Sequence, residues 1–154
     1  LNVRPEEPGS EPEDDGDFTD LLSETRILLP GAQMLSAFLI ILPFNTGFSQ
    51  IVHWEKQLFL ATFLFSLASL VLLSAPAIQH RLMRPLKDRA GFKRVATRQV
   101  VAGAFALAIA LVLGTNLVMS EVFGFAIGLI VSALMAVLVL CAWWLLPLWL
   151  KRRM

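Results

Sequence analysis

Charge is what this chain lacks over most of its length. Asp, Glu, Lys and Arg make up only 16% of its 154 residues, and the four windows 27–54, 57–80, 99–120 and 122–150 contain none of them. A soluble domain of this size needs a largely polar surface, and such windows leave no polar face. Cysteine is almost missing too. Cys141 stands alone in the last apolar window, so no intrachain disulfide is possible, and a lone cysteine there reads as a small core hydrophobe. The patterns GxxxxGK, HExxH, GxSxG and CxxC are absent, and so is any paired Cys/His set. Without a nucleophile, ligand set or phosphate cradle, the chain reads as non-enzymatic, with no catalytic residue, metal or cofactor. No window holds an acidic residue at its middle, the usual feature of proton- or sodium-coupled transport.

What is present is apolar length. The composition is 56% hydrophobic and the mean hydropathy is +0.69. A helix needs roughly 20 mostly apolar residues to cross a hydrocarbon core of about 30 Å. Each window meets that length, so the chain reads as an all-α membrane protein of four transmembrane helices at about 31–48, 58–78, 99–119 and 122–150. Pro30-Gly31 predicts a kink or a fresh helix start, because proline lacks the N–H and clashes with the preceding turn. Pro43, Pro76 and Pro147 fall near helix ends, where a lost hydrogen bond is easiest to replace. The last window, at about 1.5 Å per residue, exceeds the core thickness and must tilt or emerge. Trp143, Trp144 and Trp149 near its end suit a headgroup-level aromatic belt.

The few charges are segregated. Residues 1–20 hold Glu6, Glu7, Glu11, Glu13, Asp14, Asp15, Asp17 and Asp20 against Arg4, a net of −7. Residues 1–18 are therefore expected to be a disordered acidic tail, with a helix beginning near Asp17 or Thr19 as cap. The connection 79–98 holds Arg81, Arg84, Lys87, Arg89, Lys93, Arg94 and Arg98 against Asp88, a net of +6. Residues 151–154 add a basic end. Short basic loops stay inside, so the 19–150 domain is expected to be multi-pass with both termini cytoplasmic. Beside a membrane, the bases of 79–98 fit anionic lipid headgroups better than nucleic acid.

Two stripes of small residues predict how the helices pack. Ala102, Ala106, Ala110 and Gly114 recur every fourth residue in helix three, and Gly124, Gly128, Ser132 and Ala136 do so in helix four. Small residues at this spacing let backbones approach closely. With only a few residues between the helices, a tight antiparallel hairpin with facing stripes is expected, oligomer contact being the competing use. Helix two carries Phe59, Phe63 and Phe65 beside Thr62, Ser66 and Ser69, and its bulky aromatics read as facing lipid or helix one.

The topology gathers polar candidates in an inner layer (Glu24, Arg26, Gln33, Gln79, His80, Arg81, Arg94, Arg98) and an outer one (Asn45, Thr46, His53, Glu55, Asn116, Glu121). Gln33 reads either as part of a transport path or as a hydrogen bond between helices. Glu24 and Arg26 would pair with Arg98 or Arg81, as a gating network or as a structural ion cluster. His80 and Arg81 suit a helix C-terminus facing anionic headgroups. Glu121 reads as a proton or cation site or as a solvated turn residue.

Residues 21–44, LLSETRILLPGAQMLSAFLIILPF, resemble a family of small bacterial membrane proteins of about this length that has no assigned function. The resemblance rests on Glu24, Arg26, Gly31, Gln33, Phe38-Leu39 and Pro43-Phe44. Ala75-Pro76 with His80-Arg81, and Arg94 with Arg98, extend it over roughly residues 20–150. It implies four helices and a bacterial cytoplasmic membrane. Some members carry a sodium:proton antiporter label, which the missing mid-helix acid argues against. The leading expectation is an oligomeric protein that forms or modulates a small ion or solute path. The alternative is an accessory or assembly subunit of a larger membrane complex.

Overall fold

The computed structural model of this chain describes residues 12–45, 52–83 and 89–153; within these, the side chains of 12–22, 24, 89 and 90 lie outside the description. All regular structure in the described residues is helical. Helix α1 spans Pro12–Ile41 and closes in a 3-10 turn, Leu42–Phe44; α2 spans His53–Leu82, α3 Arg89–Phe123 and α4 Phe125–Leu140. A π turn, Cys141–Leu145, joins α4 to α5, Leu146–Arg153. Four stretches are long and apolar enough to cross a membrane: Thr25–Phe44, His53–Leu82, Gly91–Phe123 and Phe125–Arg153.

The helices are longer than the apolar windows. Absence of charge marks the part suited to hydrocarbon, whereas the backbone stays helical through Arg, Lys, Glu and Gln, which are good helix formers. Thus α3 begins at Arg89, ten residues before the expected start at Gln99. Similarly, α2 begins at His53 because Glu55 caps it: its Oε2 accepts the Val52 N–H at 3.0 Å. Helix α1 is already helical at Pro12, the edge of the described residues, ahead of Asp17. Residues 1–11 of the acidic tail lie outside the described residues.

The fresh helix start at Pro30 and the helix end at Phe48 are corrected. Pro30 neither breaks nor restarts α1, which runs through it; the carbonyl it deprives of a donor belongs to Arg26, at the polar edge of the apolar stretch. Pro43 does end the first helix, in the 3-10 turn rather than at Phe48. There Asn45 N–H reaches back to Leu42 O at 3.1 Å. Residues 46–48 of the expected helix lie outside the described residues.

Helix α3 is the centre of the molecule. It packs against each of α1, α2 and α4, while among the described residues the α4 backbone approaches no other long helix; Phe125 at the start of α4 meets Trp54 of α2 edge to face, with ring centroids 5.7 Å apart. Accordingly 39% of the apolar window in α3 is buried, against 17–22% in the others. Ala32, Leu73, Val100 and Leu107 form the core where α1, α2 and α3 meet. Gly103 allows α3 to approach α2: a Cβ there would lie 2.9 Å from Leu73 Cγ and 3.2 Å from Leu72 Cβ.

The hairpin of α3 and α4 is present, but the two stripes do not face each other as expected. Gly128 meets Ser120, and its missing Cβ would stand 2.8 Å from the Ser120 N. Gly114 instead looks toward Thr62 of α2 and Leu35 of α1, at 3.5 and 3.9 Å from its virtual Cβ. The reason is angular. Four residues advance a helix by about 400°, so a four-residue stripe drifts roughly 40° per step. From Ala102 to Gly114 the stripe winds away from α4 and onto α2. At this end of the hairpin the seam of α3 against α4 is therefore made by Asn116 and Ser120 rather than by Gly114.

Contacts along that seam share one antiparallel register: Ser120 with Gly128, Asn116 with Ser132 and Phe105 with Trp144. Side chains on the α4 side are small near the turn, at Gly128, Ser132 and Ala136, and larger farther from it, at Val139 and Trp143. The helices therefore touch at the turn and splay at the far end, where α5 makes no backbone approach to α3. The turn itself needs glycine: Gly124 has φ +90°, a region where a Cβ is strained.

Candidate functional site

Small polar residues, rather than charges, line the protein interior. Helix α2 buries Thr62, Ser66, Ser69, Leu73 and Pro76, a four-three-four-three spacing that keeps one seam facing its neighbours. Helix α1 answers with Thr25, Ala32, Ser36 and Leu39, all buried. The two seams are joined by Ser36 Oγ and Ser66 Oγ at 2.6 Å. Thr62 Oγ1 donates to Leu58 O at 2.7 Å within its own helix. Across the hairpin, Asn116 Nδ2 donates to Ser132 Oγ at 3.1 Å, and Ser120 Oγ donates to Asn116 O at 2.6 Å. Among the described residues, two buried atoms, Ser69 Oγ and Gln99 Oε1, have no hydrogen-bond partner. Sequence reading notes Thr62, Ser66 and Ser69 beside the phenylalanines of helix two but gives them no packing role, and it passes over Ser36, although the seven-residue repeat on helix two carried the signal.

The residues singled out from sequence mostly face outward. Gln33 is exposed on α1, pointing away from the seam that Ala32 and Ser36 bury. It lies about 12 Å along the helix from Thr25 and roughly 16 Å from Phe44. Its amide has no hydrogen-bond partner among the described residues. Arg26, Arg81 and Arg98 are also exposed, and no ion pair joins them among the described residues. Glu24 lies in α1, but its side chain is outside the described residues. His80 is half-buried, its ring 6.1 Å from that of Phe92.

Glu121 is exposed beside the Gly124 turn. Of the outer group, Glu55 is engaged as the α2 cap, and His53 Nε2 lies 3.2 Å from Gln57 Nε2. Of the packing stripes, Ala106, Ala110, Gly128 and Ser132 are buried, Gly114 and Ala136 half-buried, and Ala102 and Gly124 exposed.

Open grooves score the surface of the bundle among the described residues, and two of them bear on the site. One, of about 280 Å³, runs between α1 and α3 along Leu35, Phe38, Leu111 and Val118. The other, of about 380 Å³, lies where α3 and the π turn splay, lined by Thr97, Arg98, Val101, Ala102, Phe105 and Trp144. Its wall is an edge-to-face pair, with the Phe105 and Trp144 rings 5.8 Å apart at 85°. The π turn sets this pair. Pro147 cannot donate to the carbonyl one turn back, and the Leu146 N–H bonds instead to Cys141 O, five residues earlier. That extra residue turns Trp143 toward the core and leaves Trp144 over Phe105.

Compared with protein-family models, residues 10–147 match one, described as a family of unknown function (DUF6328). No curated protein matches the chain, and no solved structure does.

Proposed function

This chain belongs to DUF6328, a family of unknown function, and from its own geometry we propose that it is a non-enzymatic membrane protein that acts as an oligomer, forming or modulating a small ion or solute path between protomers. One observation carries the proposal: the Gln33 amide lies within an apolar span and points out of the bundle. Hydrocarbon offers an amide no partner, so polar groups at that depth face another helix or a wet cavity. The bundle's own interior supplies neither to Gln33. Its centre is closed by direct contacts, with Leu39, Thr62, Ser66, Ser69 and Leu73 within 1% of full burial. A path therefore has room only between copies, along the α1 faces that carry Gln33. The bacterial cytoplasmic membrane, with both termini inside, is part of the same proposal and rests on the basic 79–98 connection and the Lys151-Arg152-Arg153 end.

A second reading, an accessory subunit of a larger membrane complex, is favoured by α4. Its outer face exposes Ile127, Ile130, Leu134, Val137 and Leu138, a surface that suits lipid or a foreign helix equally. Reconstitution into liposomes separates the two. The proposal expects flux of small ions or solutes from the purified chain, changed by Gln33→Leu. A sealed vesicle with either protein, across a panel of ions and small neutral solutes, contradicts the path and leaves the accessory reading.

A further inference from the structure

The groove between α3 and the π turn has the two-part chemistry of a lipid. Its floor and walls are apolar: Val101, Ala102, Phe105 and Trp144. At its mouth stands Arg98, exposed, with no acidic partner among the described residues and five N–H donors on a planar fork. The hairpin register carries the far strand of this cleft on to Leu150 and Lys151 at the level of Arg98. Arg94 lies one turn below, and Arg152 and Arg153 follow on α5, all of them exposed. Arg153 lies over the Trp149 ring, 3.9 Å from its centroid, which anchors this end of α5 at an amphipathic boundary. The cations of α3 and α5 thus fall at one end of the molecule, above an apolar channel roughly 10 Å long from Arg98 to Phe105.

We propose that this groove binds one anionic phospholipid. Its phosphate sits between Arg98 and Lys151, and an acyl chain lies along Ala102 against the Phe105–Trp144 wall. Three features of the sequence build the site. The growth of side chains from Gly128 to Trp143 splays the hairpin, Ala102 keeps the floor low, and the π turn ahead of Pro147 sets Trp144 as the wall; π turns inside α-helices recur at functional sites. The volume of about 380 Å³ falls within the ~300–1,000 Å³ usual for small-molecule sites. Charge selects the headgroup, because unpaired Arg and Lys at a membrane surface attract anionic lipids. The inference rests on the membrane reading and not on conduction, so recovery of the full chain from alkali-washed membranes is checked first and separately.

Native mass spectrometry of the detergent-purified full chain, titrated with phosphatidylglycerol or phosphatidylcholine of identical chains, tests it. One phosphatidylglycerol per protomer is expected to survive delipidation, with phosphatidylcholine held at least about five-fold more weakly, the worth of one surface cation. Arg98→Gln should weaken phosphatidylglycerol by a similar factor, while Arg98→Lys retains most of it. Ala102→Phe, which fills the floor and leaves every charge in place, should also displace the lipid. Glycerol phosphate, the headgroup without chains, should not compete at lipid concentrations. Equal retention of the two lipids by the parent chain would overturn the proposal, as would full retention by Ala102→Phe, which reduces the binding to headgroups on a basic surface.

Discussion

Gly128 and Gly31 are both helical glycines on apolar stretches, and the structure gives the same substitution opposite signs at the two. At Gly128 a Cβ would lie 2.8 Å from both Cβ and N of Ser120 and 2.9 Å from its Cα. Because backbone atoms cannot rotate aside, α4 must move off α3. The hairpin contact at the turn is lost first, followed by the Asn116–Ser132 hydrogen bond of 3.1 Å. Overpacking of this kind costs about 1–3 kcal/mol, and a hydrogen bond between membrane helices contributes about 0.6–2 kcal/mol. Against these stands the helix preference of alanine over glycine, at most about 1 kcal/mol. The expected net loss for Gly128→Ala is about 1–4 kcal/mol. At Gly31 nothing lies within 4 Å of the virtual Cβ, so only the helix term remains, and Gly31→Ala should stabilise by up to about 1 kcal/mol. Reversible unfolding in mixed micelles, followed by circular dichroism, reads both. If Gly128→Ala proves as stable as Gly31→Ala, α4 does not pack on α3 through this face, and the splayed hairpin built on it falls as well.

Three further outcomes follow from the interior and the topology. Ser69→Ala removes a buried hydroxyl that has no partner among the described residues and should leave stability unchanged or raised by about 1 kcal/mol, whereas Ser66→Ala strands Ser36 and should cost about 0.6–2 kcal/mol; equal effects in the same micelle assay would contradict the seam between α1 and α2. Gly124→Ala places a Cβ at φ +90° and should destabilise by about 1–2 kcal/mol, although its space is open; a neutral result would show that the turn adopts another conformation. Reporters fused after Lys56 and after Met154 should read opposite sides of the membrane, and the same side for both would remove one crossing.

The number and order of the helices were legible because hydrocarbon excludes charge, and an uncharged window is an unambiguous trace of that exclusion. Their ends were less legible. A window stops at Arg98 or Lys56, but helical hydrogen bonding does not, so α2 and α3 reach beyond it at both ends. Faces were harder still. Reading every fourth residue on helix three as one straight stripe ignored the drift that carries Gly114 round to Thr62. The three-four alternation of Thr62, Ser66, Ser69 and Leu73 tracks a packing seam more faithfully, and it stood in the sequence beside the more conspicuous phenylalanines. Gln33 was singled out as a polar residue within the first apolar stretch, Thr25–Phe44, but no periodicity within one helix says whether such a face meets its own bundle. The groove at Ala102 was out of reach, since it depends on a π turn and on two rings brought together from residues 105 and 144.

The central claim is that α1 faces a second copy through Gln33. It is tested most directly by Gln33→Cys in a Cys141→Ser background, where Cys141 is the only native cysteine, oxidised in native membranes at low expression. The account expects a disulfide-linked dimer that forms rapidly and is abolished when the cysteine is moved to Ser36, on the buried face of α1. Cross-linking that is absent at residue 33, or no greater there than at residue 36, would contradict it.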